Sequence, residues 1–415
     1  MKKQLLLIGL FVFLAVAGFS LFGCGEGVDI DPRITTTTTS TTTTAATATT
    51  TTTTTSTSST STSTTTTSTT TTTLTGWLDV GSAGFSPGDA YYTSLSLDSN
   101  NIPYVAYQDG GNGNYASVMK FDGSTWVQVG DAGFSAGIAS YTSLGLASDN
   151  TPYVAYEDGE NSNKASVMKF DGSNWVQVGD AGFSAGTSDY LSLCLASDNT
   201  PYVAYKVSTK ASVMKLNGGI WELVGDAGFS AGAVWYTSLC LASDNTPYVA
   251  YEDGGNSNKA TVMKFNGISW EVVGDAGFSA STAYYTSLSL DSNNIPYVAY
   301  TDVGSSNKAS VMKFDGSTWV QVGDAGFSTG SAQYLSLSFD SSDTPYVAYK
   351  DGGNSDKASV MKFDGTTWVQ VGDAGVSPGA AYYTSLALDS NNIPYVAYMD
   401  GENDTKASVM KYIAP

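Results

Sequence analysis

From residue 77 to the end of the chain, short apolar-rich runs alternate with clusters of Asp, Asn, Gly and Ser. The first complete set spans 92–130, YTSLSLDSNNIPYVAYQDGGNGNYASVMKFDGSTWVQVG. Within 92–97, Tyr92, Ser94 and Ser96 fall on one side and Thr93, Leu95 and Leu97 on the other, which is strand periodicity. Asp98-Ser99-Asn100-Asn101 then supplies turn chemistry, and 103–107 is aromatic and β-branched, its Pro tolerated because it opens the strand. Residues 109–114 form the next break, 116–121 the next run, Asp122-Gly123 a tight turn, and 126–130 the last run. Asn, Asp and Gly tolerate the left-handed conformations that such hairpins need. No window carries a helical period. Each set therefore predicts four antiparallel strands.

The set recurs. The Trp of W-x-x-V-G falls at Trp77, Trp126, Trp175, Trp221, Trp270, Trp319 and Trp368. The Pro of P-Y-V-A-Y and the Lys of V-M-K each occur seven times in step, from Pro103 to Pro394 and from Lys120 to Lys411. The period is 49 residues, with one step of 46 between Trp175 and Trp221. Repeats of this length made of short strands predict an all-β, seven-bladed β-propeller with four antiparallel strands per blade. The repeat region opens on a lone W-x-x-V-G strand and ends after a V-M-K strand, so the last blade lacks its outermost strand. The N-terminal strand is expected to join that blade and close the ring, which removes the exposed edges an open solenoid would leave.

The start of the chain has a different character. Met1-Lys2-Lys3 precedes an apolar run, and Leu21-Phe22-Gly23-Cys24 follows it, the layout of an export signal. The Gly-Cys ending resembles the lipobox of bacterial lipoproteins. That resemblance implies a signal peptide over 1–23, a lipidated Cys24 and export to the outer membrane or cell surface; an uncleaved membrane anchor or an ordinary signal peptide is the alternative. Residues 24–76, almost wholly Thr and Ser after a short acidic lead, have no means of burying a core and are expected to form an extended tether, bare or O-glycosylated. The propeller is assigned to 77–415. Its repeats resemble those of uncharacterised extracellular bacterial propeller-repeat proteins. They lack the G-H…W-D signature of WD40 repeats and match kelch repeats poorly.

Charge and composition narrow the function. The chain carries 38 acidic and 18 basic residues, a net charge of −20, and no His. Nucleic acid is excluded as a partner, because its binding is dominated by cationic contacts to phosphates, and the membrane is expected only through the lipid anchor. His-based triads and His metal sites are excluded as well. The turn 121–126 resembles the Asp-box of sialidases, but the only Arg, Arg33, lies in the tether, so the arginine set that the resemblance implies is missing. Acidic residues recur from repeat to repeat and offer no unique carboxylate pair. The expectation is a protein that is not an enzyme, with an extracellular carboxylate hydrolase as the lesser alternative. Cys194 and Cys240 occupy one repeat position, otherwise Ser, Gly or Ala, and are expected to be small packing residues on the innermost strand rather than a disulfide.

Two sets of candidate site residues emerge. The loop between the second and third strands begins at Asp109, Asp158, Asp253, Asp351 and Asp400 in oxygen-rich, Gly-containing segments. These are candidate Ca²⁺ ligands, although the same residues suit ordinary turns and no cofactor is required. The third repeat shortens this loop and shares no such site. The second set is the position before a recurrent Tyr, where the copies differ most. Tyr91, Asp189, Trp235, Tyr284, Gln333 and Tyr382 are expected on loops of one face, binding a glycan or a protein multivalently, since aromatic side chains combine apolar faces with polar edges. A structural or assembly subunit of the cell envelope is the alternative.

Overall fold

In a computed structural model, residues 75–415 are described, and they form seven four-stranded antiparallel sheets. Blades 1 to 6 span 90–128, 139–177, 188–223, 234–272, 283–321 and 332–370. Blade 7 combines 381–413 with the strand Gly76–Asp79, which pairs antiparallel with Lys406–Ile413 through Trp77↔Tyr412 and Leu78↔Lys411. The architecture is the seven-bladed propeller that the repeats predict. The signal peptide, Cys24 and nearly all of the tether lie outside the described residues.

The core is divided into seven apolar clusters, each built from two adjacent blades. The P-Y-V-A-Y strand is covered on both faces by neighbouring blades, so Val105, Ala106 and Tyr107 are each 0% exposed. Its continuous apolar run reflects that double burial. The W-x-x-V-G-D-A-G-F segment forms the latch. Trp126 Nε1 donates to Val80 O at 2.6 Å, and its indole stacks on Phe85 with ring centroids 3.9 Å apart. Gly81, at φ +71°, admits this arrangement, because a Cβ there would lie 2.7 Å from Phe121. The same Trp–Phe stack recurs from blade to blade. At the closure Val376 replaces the Phe, and Trp77 Nε1 donates to Val371 O at 2.7 Å.

Two rings of hydrogen bonds tie the innermost strands together. In every blade the backbone N–H at the Leu95 position donates to a Ser hydroxyl of the preceding blade, at 2.9–3.0 Å. On the opposite face of the disc, Asn150 accepts from Ser99 N–H and donates to Ser99 Oγ. This Asn–Ser exchange repeats around the ring and closes through Asn101 and Ser390. Asp343 takes the Asn position once, accepting from Ser292 N–H and Oγ instead.

Candidate functional site at the channel mouth

The recurrent Tyr sits inside the innermost strand, where the simple alternation read from 92–97 is interrupted. The register between first and second strands shifts between Tyr91 and Ser94, and at the same point in each of the other blades. At this bulge all seven tyrosines are left-handed, with φ of 52–53°. For a non-Gly residue that conformation costs about 1–2 kcal/mol. A bulge re-aims a side chain, and here it turns Tyr92, Tyr141, Tyr190, Tyr236, Tyr285, Tyr334 and Tyr383 to the axis. They form a closed belt with neighbouring centroids 4.7–5.2 Å apart. Thr142 Oγ1 donates to Tyr92 O at 2.6 Å, and Thr93, Thr237, Thr286 and Thr384 make the equivalent bond. Leu191 and Leu335 stand where that hydroxyl would be. The belt and the ring beneath it line an axial cavity of about 230 Å³.

The variable residues rise from this belt. They are not on loops, as the sequence suggested: each belongs to the innermost strand and is paired with the penultimate residue of the second strand. The pairs are Tyr91↔Gln108, Ser140↔Glu157, Asp189↔Lys206, Trp235↔Glu252, Tyr284↔Thr301, Gln333↔Lys350 and Tyr382↔Met399. The structure therefore gathers all six expected residues around one axis, and adds a second variable ring that sequence reading missed. The signal was available: the x of P-Y-V-A-Y-x-D takes five identities between nearly invariant neighbours.

Side chains of the first ring lean toward the preceding blade. Tyr91, Tyr284 and Tyr382 meet Tyr383, Tyr236 and Tyr334 edge-on at 6.3 Å. Lys206 pairs with Asp189 at 3.1 Å and lies 5.8 Å from the Trp235 ring. A Cβ on Gly254 would sit 3.1 Å from Trp235 Cζ3, so the indole is seated against that loop. Lys350 lies 4.6 Å from the Tyr382 ring and also donates to Gln333 Oε1.

Two glutamates of the second ring are unlike the recurrent acids. Burial, reinforced by Asp189, pushes Glu157 up to about 7, and burial does the same to Glu252. The folded state thus holds these protons more tightly than the unfolded chain, whose ordinary value is 4.5. The resulting stabilisation is complete below that value and is lost as pH rises through about 7. The thermal midpoint is expected to fall between pH 5.5 and pH 8, and the double variant Glu157→Gln/Glu252→Gln should flatten the slope. An unchanged slope in that variant would refute this assignment.

The five loop aspartates proposed for calcium are turned inward. Asp109 is fully buried, and its carboxylate accepts from Gly111 N–H, Asn112 Nδ2 and Ser117 Oγ at 2.7–3.0 Å. Asp158, Asp253, Asp351 and Asp400 make the same three bonds with local substitutions. They cap the loop and tie it to the third strand. No group of three or more potential metal ligands occurs among the described residues. Cys194 and Cys240 are free thiols, and burial raises both, Cys240 to about 12.

No protein-family model matches the chain, and no curated protein matches it. Solved structures do. An ulvan lyase bound to -[GlcA(1-4)Rha3S]- aligns with a TM-score of 0.53 at 13% identity, over 81% of this chain and 95% of its own. The extracellular domain of a hybrid two-component system from B. thetaiotaomicron aligns at 0.52 and 14%, over 80% of this chain and 40% of its own. Aleuria aurantia lectin, in complex with Fucalpha1-6GlcNAc, aligns at 0.48 and 16%, over 72% of this chain and all of its own. At such identities the first two likenesses establish the propeller fold, and the third is too distant to add to them.

Proposed function

We propose that this protein is an exported, lipid-anchored recognition module that binds a glycan at the channel mouth of its propeller. One observation carries the reading: in a scaffold repeated almost residue for residue, two paired rings of unlike side chains surround a single belt of tyrosines. Aromatic faces, amides and a few charges at one mouth suit an extended polyhydroxylated ligand, because tyrosine and tryptophan present apolar faces beside polar edges. Left-handed tyrosines beneath them fit the tendency of backbone strain to collect at functional sites. The geometry favours one axial site built from several blades over seven equivalent ones. The tether, on this reading, holds the mouth away from the membrane.

Binding of the full chain to a glycan array tests the proposal. At least one glycan should be retained, and Trp235→Ala and Tyr284→Ala should each weaken it by about tenfold or more, as loss of an aromatic anchor commonly does. Absence of any glycan ligand, or full binding by both variants, would overturn the reading, and a stoichiometric protein partner captured through the same residues would replace it.

A further inference from the structure

We propose that the crevice between blades 5 and 6 holds one neutral pyranose unit, stacked on Tyr284 and hydrogen-bonded by Gln333, Asn307 and Ser331. This rests on the glycan reading above and specifies where one sugar sits and of what class it is.

The crevice exists because of one substitution among the repeats. In the other blades the second-strand ring position carries a long side chain: Gln108, Glu157, Lys206, Glu252, Lys350 or Met399. In blade 5 it is Thr301, only 2% exposed, whose Oγ1 is drawn inward to donate to Ala332 O at 2.5 Å. A cavity of about 380 Å³ opens beside it. That volume lies within the roughly 300–1,000 Å³ typical of small-molecule pockets.

Its lining is chemically specific. Tyr236, Tyr284 and Tyr285 form the aromatic wall, and Asn307, Ser331 and Gln333 supply amides and a hydroxyl. Tyr284 is 36% exposed, so its ring is available for stacking. Gln333 Oε1 accepts from Lys350 at 3.3 Å, which orients the amide and leaves its NH₂ as a donor. Amides and hydroxyls that donate and accept match sugar hydroxyls, which do both. No carboxylate or ammonium lines the crevice, whereas blade 3 presents the Asp189–Lys206 pair and blades 2 and 4 present Glu157 and Glu252. The nearest ammonium, Lys350, stands behind Gln333 and is paired with Asp356 at 3.3 Å, so a uronate or sulfated unit would find no cation in the lining, on a chain of net charge −20. A neutral ring meets neither penalty.

The test titrates the full chain with the methyl glycosides of glucose, galactose, mannose and glucuronic acid, read by saturation-transfer NMR and calorimetry. At least one neutral glycoside should bind, and methyl glucuronide should not. Thr301→Glu places in the crevice the residue that blade 4 already accommodates as Glu252, and should weaken binding by about tenfold or more. Gln333→Ala should also weaken binding, without adding bulk, and decides the matter if Thr301→Glu fails to fold. Neutral glycoside binding that both variants leave intact, or binding of the glucuronide alone, overturns the crevice assignment while the glycan reading stands. Array-positive oligosaccharides with no glycoside binding do the same. A chain that binds neither glycosides nor any arrayed glycan overturns both.

Discussion

Deleting residues 76–80 is expected to lower the unfolding midpoint of the whole propeller, not of one blade. The strand Gly76–Asp79 supplies the outer edge of blade 7, and Trp77, 1% exposed, fills the junction of blades 6 and 7 with Val371, Val376 and Met410. Its indole N–H is satisfied across that junction by Val371 O, and the Val80 N–H is satisfied within blade 7 by Val409 O. Truncating a buried Trp typically costs about 3–5 kcal/mol, against a total stability of about 5–15 kcal/mol for a native domain. Removal of the strand also leaves the outer edge of Lys406–Ile413 unpaired and open to association with other chains. Because each core cluster spans two blades, a gap at one junction weakens the support of its neighbours around the ring. Urea melts should show a single transition at a much lower midpoint, with Trp77→Ala intermediate. A deletion variant that melts like the parent would refute closure as the source of stability.

The second large effect is expected at the buried loop caps. Asp253, 1% exposed, accepts from Gly255 N–H at 2.9 Å, Asn256 Nδ2 at 2.8 Å and Thr261 Oγ1 at 2.9 Å. Asp253→Ala strands the buried Thr261 hydroxyl and unties the more open Gly255 N–H and Asn256 amide, for a loss of about 1–3 kcal/mol. Blade 3 provides the internal control. There the position is Val207, and the loop is cut to a short turn between Val207 and Lys210, which removes the counterparts of Gly255 and Asn256, while Ser212 at the Thr261 position remains and accepts from Gly228 N–H. With the carboxylates committed to internal donors, EGTA should leave the thermal midpoint unchanged. A fall on chelation would instead return these aspartates to the role of calcium ligands.

The sequence and the structure meet at identifiable places. Blade number, strand order and the partner of the lone first strand were legible, since they depend on local signals: period-2 patterning, Asp/Asn/Gly turns and the spacing of Trp, Pro and Lys. The position of greatest variation was legible too, because neighbouring copies in one chain serve as their own comparison. Its setting was misjudged. Alternation through Tyr92–Leu97 looks regular on paper, and only the pairing with the second strand exposes the bulge that sends seven tyrosines to the axis. The five aspartates offered as metal ligands were ambiguous for a related reason, as burial of their carboxylates depends on a third strand eight residues further on.

Local chemistry along the chain was thus enough to dictate the strands, their turns and the count of blades. Which residues share the mouth was decided by the closed ring. Tyr284 meets Thr301 only through strand register, and Gln333 joins them only because blade 6 packs against blade 5. Contacts of that kind join positions far apart in the chain, and no period or turn signal encodes how a bulge, a short side chain and a neighbouring blade combine to leave a cavity.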